Sequence, residues 1–80
     1  MGRTIHSDDY RTLLALVRDV RESAGFTQAA LAAHLERPQS WVSKVETGER
    51  RLDVAELRLV CDALGVDLIE VIREWEARLQ

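Results

Sequence analysis

Cysteine, proline and glycine are scarce in this chain of 80 residues, with one, one and four copies respectively. A lone cysteine forms no disulfide within its own chain and cannot by itself build a zinc site, so no covalent or metal staple is expected. Long apolar runs are missing as well. The longest, such as Leu13 to Val17, stop at five residues, far short of the roughly 18 needed to cross a bilayer. The early residues interleave Asp8, Asp9, Arg11, Arg18 and Asp19, which leaves no signal-peptide core. A cytoplasmic protein without membrane contact is the expectation. No stretch alternates apolar with polar residues, no hairpin dipeptide occurs, and no repeat or low-complexity tract is present, so β structure is not expected.

What the chain does contain is ordinary for one small folded domain: 46% apolar and 31% charged residues, enough for a single core. The net charge of −3 argues at first against a nucleic-acid partner, but the charge is unevenly spread. Residues 1–25 balance to zero. Residues 26–52 set Arg37, Lys44, Arg50 and Arg51 against Glu36, Glu46 and Glu49, a net of +1. Residues 53–80 set Arg58, Arg73 and Arg78 against Asp53, Glu56, Asp62, Asp67, Glu70, Glu74 and Glu76, a net of −4. A polyanion-binding face must therefore lie in the first two thirds and act through local geometry.

Helical periodicity, punctuated by Gly25, Gly48 and Gly65, predicts five helices. The first runs from Ser7 or Asp8 to Ala24 and buries Leu13, Val17, Val20 and Ala24. Thr27 caps the second, Gln28 to Leu35, with Phe26 and Leu31 as a hydrophobic staple across the cap. The third starts near Pro38, which suits a first helical turn, and ends by Thr47. Asp53 caps the fourth, with Val54, Leu57, Cys61 and Leu64 on one stripe. Asp67 caps the fifth, which carries Leu68, Ile72, Trp75 and Leu79 on one side. An all-α, compact five-helix bundle forming one domain over residues 1–80 is expected.

Only Glu36 and Arg37 separate Leu35 from Pro38. A tight corner between two short helices is the signature of a helix-turn-helix, here at about residues 28–47. On a wheel of about 100° per residue, Gln39, Ser40, Ser43, Lys44 and Thr47 share one side of the third helix. Val42 and Val45 lie opposite. An ordinary solvated face would be richer in Glu, Lys and Arg. Amides, hydroxyls and one lysine instead suit close approach to base edges, where glutamine pairs bidentately with adenine.

The runs Gln28-Ala29-Ala30-Leu31-Ala32-Ala33-His34-Leu35 and Gln39-Ser40-Trp41-Val42-Ser43-Lys44-Val45-Glu46-Thr47-Gly48 resemble the Cro/phage-repressor-like (XRE-type) helix-turn-helix family. The resemblance covers roughly Val17 to Asp67 and implies a lambda-repressor-like bundle that binds DNA. It implies base contacts by Gln39, Ser40, Ser43 and Lys44. It implies phosphate contacts by Gln28, Arg37, Trp41, Arg50 and Arg51, with Gln28 also bracing Gln39 and the N-terminus of the second helix offering free N–H groups. A helix-one arginine pairs in such domains with a glutamate near the end of the recognition helix, and Arg21 and Glu46 hold those places. The family usually has glycine at the corner where this chain has Glu36. Positive φ at a residue with a Cβ costs on the order of 1 kcal/mol.

The remaining candidates read more plainly. Cys61 sits on an apolar stripe and is expected in the core. His6 and His34 lack partners at ligand spacing, so neither metal nor cofactor is expected. No nucleophile–base pair or carboxylate dyad stands out, so the chain is expected not to be an enzyme. Leu68, Ile72, Trp75 and Leu79 make residues 67–79 a candidate dimerisation helix. A homodimer would set two recognition helices about 34 Å apart on a palindromic operator in double-stranded DNA. The expected function is a repressor-type transcriptional regulator. The alternative is a protein-interaction module with a protein partner, such as the antitoxin of a toxin–antitoxin pair or a transcription adaptor, which the acidic last third favours.

Overall fold

The computed structural model describes residues 7–80. The first six positions, His6 among them, lie outside the described residues. Five α-helices follow in order: α1 (Asp8–Ser23), α2 (Gln28–His34), α3 (Gln39–Thr47), α4 (Val54–Leu64) and α5 (Leu68–Arg78). Local chemistry places most of these ends. The Ser7 hydroxyl accepts the Tyr10 N–H at 3.3 Å, and Thr27 accepts that of Ala30 at 3.0 Å. Asp67 accepts that of Ile69 at 3.1 Å. At α4 the cap is reciprocal: Asp53 Oδ1 accepts the Glu56 N–H at 2.7 Å, and Glu56 Oε1 accepts the Asp53 N–H at 3.0 Å. Such a box satisfies two otherwise unpaired donors. Pro38 stands just outside α3 as its N-cap, not within its first turn.

α2 packs most closely on α3, α1 runs beneath α3 and α5, and α4 supports α2 and α5. One core gathers Leu13, Leu16, Val17, Leu31, Ala32, Val42, Val45, Leu57, Val60, Cys61, Leu64 and Val71. Ala32, only 2% exposed, is part of this core, where a larger side chain would have to displace its packed neighbours. Burial pushes the Cys61 thiol up, with Asp62 and Asp67 adding to the shift, as fits a core residue.

Two expected core positions turn outward. Val54 is 69% exposed because the first residue of α4 precedes the turn that reaches the core. Ala24 is exposed as well, since α1 ends one residue earlier and the chain is already leaving the bundle. Several residues not singled out by periodicity turn inward instead, Leu16 and Val60 among them. Tyr10 and Leu52, 42 positions apart, are buried together, with the Tyr10 hydroxyl accepting the Leu52 N–H at 2.9 Å.

The corner between α2 and α3 takes the shape that glycine would favour. Glu36 has φ of +56°, the one non-glycine residue with positive φ among the described residues. The Glu36 and Arg37 N–H groups close back on the Ala33 and Ala32 carbonyls at 3.1 and 2.9 Å, ending α2 in a left-handed turn. Glu36 is exposed, and its side chain makes no hydrogen bond among the described residues, so it contributes strain without a compensating contact there. A Cβ in this conformation costs roughly 1–2 kcal/mol, while glycine adds roughly 0.5–1 kcal/mol of unfolded-state entropy. We therefore expect Glu36→Gly to raise stability by up to about 1 kcal/mol and Glu36→Val to lower it, read as opposite shifts of the urea midpoint at constant slope.

Candidate nucleic-acid interface

Nine residues of α3 place their apolar side inward and their hydrogen-bonding side outward. Val42 and Val45 are 2% and 3% exposed. Gln39, Ser40 and Lys44 are exposed, and Ser43 is half-buried beside them. No bond within the described residues occupies the side chains of Gln39, Ser40, Ser43 or Lys44. Thr47 differs: its hydroxyl donates to the Lys44 carbonyl at 3.2 Å and is turned back on its own helix. Gly48 closes α3 at φ of +84°.

Beneath this face lies a buried ion pair. Arg21 Nε and Nη2 donate to the two oxygens of Glu46 at 2.7 and 3.1 Å, and Arg21 Nη1 donates to the Phe26 carbonyl at 2.7 Å. The two side chains are 7% and 5% exposed. The hydrogen bonds it donates to Glu46 hold the Arg21 guanidinium above its ordinary range against the opposing effect of burial. Gln28 joins the same cluster: its Nε2 donates to Glu46 Oε1 at 3.0 Å. The expected brace from Gln28 to Gln39 is therefore replaced by one to Glu46. Glu46, two turns along α3, offers a charged and enclosed acceptor, whereas the amide oxygen of Gln39 is neutral and at the exposed start of the helix. One carboxylate thus ties together α1, the start of α2 and the end of α3.

A second cluster follows the corner and the loop after α3. Trp41 is half-buried against the core, with its indole N–H enclosed and unpartnered. The guanidinium carbons of Arg37 and Arg50 lie 4.4 and 5.1 Å from its ring centroid, in cation–π contact. Arg51 similarly covers Tyr10 at 4.9 Å. Arg50 also grips Glu56 with two bonds, Nη1 to Oε1 at 3.1 Å and Nη2 to Oε2 at 3.0 Å. That fork, together with the Asp53 N–H, holds the Glu56 carboxyl below its usual range. Arg11, Arg37, Lys44 and Arg51 have no carboxylate within ion-pair distance among the described residues.

The structure thus brings Gln39, Ser40, Ser43 and Lys44 to one open face, with Arg37 stacked on the half-buried Trp41 and Arg51 in the loop after α3, over Tyr10. Sequence reasoning missed Glu56, whose position three residues after the Asp53 cap was a readable sign of the capping box. It also missed Tyr10, for which no local signal exists.

On α5, Leu68, Ile72 and Trp75 are half-buried against their own core, and the Trp75 indole N–H donates to the Asp9 carbonyl at 2.9 Å. Ile69 is 54% exposed, and Leu79 is partly exposed at the end of the helix. No described helix is long and apolar enough to cross a membrane.

Comparison with known proteins bears on this face. A family model described as a helix-turn-helix domain matches residues 12–75. The chain is similar to the HTH-type transcriptional regulator RamB of Mycobacterium tuberculosis, with 38% identity over 63 residues, 79% of this chain. It spans only 13% of that relative's length. Among solved structures it is similar to an XRE-family like protein from Pseudomonas syringae pv. tomato. There the identity is 46% and the TM-score 0.86, covering 95% of this chain and 93% of that one. It also shares its fold with the clp gene regulator ClgR from C. glutamicum, at 24% identity and a TM-score of 0.78, covering 99% and 97% of the two chains.

Proposed function

This chain belongs to the XRE-type helix-turn-helix family, which is not a family of enzymes, and from that premise we propose that it is a sequence-specific DNA-binding transcriptional regulator of repressor type. The observation that carries this reading is the split of α3, with valines sealed on one side and unengaged amide, hydroxyl and ammonium groups on the other. A major groove admits one helix, and α3 offers it donors and acceptors without a dense charge. Gln39, Ser40, Ser43 and Lys44 are the base-reading set. Gln28, Arg37 and Arg51 are the phosphate contacts that fix register, with Trp41 packed behind Arg37. Repression would follow where the bound site overlaps a promoter, since occupancy there excludes polymerase.

The reading includes a homodimer. Leu68, Ile72 and Trp75 spend part of their surface on their own core, and the remainder, with Leu79, forms a patch that a two-fold partner would cover. Two copies would then read a palindromic site in double-stranded DNA, one helical turn between half-sites.

The test is selection of duplexes from a randomised pool, followed by fluorescence anisotropy titrations with the enriched sequence. Gln39→Ala and Lys44→Ala are each expected to weaken specific binding by about 1–3 kcal/mol and to relax preference at one base pair. Arg51→Ala is expected to weaken all sequences alike and to lower the salt slope by about one unit. A dimeric mass by light scattering at tens of micromolar should accompany an enriched palindrome. A pool without any enriched sequence defeats the regulator reading, and equal shifts from both kinds of substitution defeat the division of roles.

A further inference from the structure

We propose that Arg50 is a positioning residue that sets the pose of the recognition helix against α4 and does not itself hold a phosphate. This assignment rests on the DNA-binding reading and departs from the phosphate role that the position in the loop suggests.

The geometry assigns Arg50 to four attachments at once. Its backbone N–H donates to the Lys44 carbonyl at 3.0 Å, reaching back into the last turn of α3. Its Nη1 donates to the Arg51 carbonyl at 2.8 Å, bracing the loop itself. Its fork on Glu56 reaches the first turn of α4, where the same Glu56 oxygen accepts the Asp53 N–H. Its guanidinium also covers the Trp41 ring. One side chain therefore connects the body of α3, the loop and the capping box of α4.

That arrangement commits most of what a phosphate would need, leaving Nε–H and one Nη2 hydrogen without a partner among the described residues. A guanidinium has five N–H donors, and three contacts here already fall on its two terminal nitrogens. Its charge is offset at contact distance by Glu56, whose side chain is only 17% exposed. A phosphate approaching Arg50, whose side chain is 39% exposed, meets a charge already paired with Glu56, while Arg37, Lys44 and Arg51 meet it without a carboxylate within ion-pair distance among the described residues. Breaking the fork would leave these cations in place but free α3 to tilt. Base readout needs α3 at a defined angle, whereas loose electrostatic association does not, so specificity should suffer more than general affinity.

Four proteins distinguish the roles: wild type, Arg50→Ala, Arg50→Lys and Glu56→Gln. Each is titrated against the selected duplex and a scrambled one over a range of salt, at a temperature where circular dichroism shows it fully folded. Positioning predicts that all three variants lose about five- to tenfold in affinity for the selected duplex, with little change on the scrambled duplex and an unaltered salt slope. Lysine does not rescue, because it keeps the charge but not the planar fork. Glu56→Gln loses affinity even though it removes a negative charge. A phosphate contact predicts the reverse: Arg50→Ala lowers the slope by about 0.9 on both duplexes, Arg50→Lys binds like wild type, and Glu56→Gln binds more tightly. That pattern, or three variants that match wild type throughout, overturns the assignment. Failure of wild type itself to bind any duplex is a separate result that removes the DNA-binding reading.

Discussion

Replacing Glu46 with alanine is expected to cost about 3–5 kcal/mol of folding stability, the range for removing one partner of a buried ion pair. The reason is what remains. Arg21, 6% exposed, would keep the Phe26 carbonyl and only a looser ion pair, with the exposed Glu22 at 3.8 Å. Gln28 would lose its acceptor in the same step. Domains of this kind have only about 5–15 kcal/mol in total, and a small one sits in the lower part of that range. The thermal midpoint should therefore fall by roughly 15–30 °C, which circular dichroism would record. The double replacement Arg21→Met with Glu46→Leu should recover much of the loss, because two apolar groups leave no charge unsatisfied. A single-variant loss under about 1 kcal/mol, the range of an exposed pair, would mean that water reaches Arg21.

Leu31→Ala is the second large effect, expected at about 2–5 kcal/mol. Leu31 is 2% exposed and among the most completely enclosed side chains. It lies on the seven-residue α2, which is too short to persist alone. Removing its methyl groups takes away both their transfer energy and the contacts lining the void, and a close-packed interior recovers little of either. The matched control is Leu59→Ala. Leu59 is 48% exposed, so its change should stay within about 0.5 kcal/mol. Urea unfolding of the two variants measures the difference, and comparable midpoints would contradict the enclosed position of Leu31.

Much of the helical layout was legible because helix ends are local. Ser7, Thr27, Asp53 and Asp67 each accept an N–H two or three residues ahead, and Gly48 relieves a left-handed turn at its own position. The two faces of α3 were legible for a similar reason, since a period of 3.6 sorts Val42 and Val45 from Gln39, Ser40 and Lys44. Periodicity misplaced Val54 and Ala24, because it does not report where along a helix the neighbouring core begins. The pairing of Arg21 with Glu46, 25 residues apart, came from family resemblance and not from spacing. Gln28 shows the limit of that route: it opens α2 as the resemblance implies, but its amide binds Glu46 and not Gln39.

The sequence alone determined that this is an all-helical chain with a tight corner and one hydrogen-bonding face that carries a single charge, since these depend on neighbours within about four residues. Tertiary structure alone decided which charges are spent and which are left to act. Arg50 and Arg51 are adjacent in the chain, yet one is closed onto Glu56 and the other lies over Tyr10 without a carboxylate beside it. Such pairings depend on distances between helices, which emerge only when the core is packed.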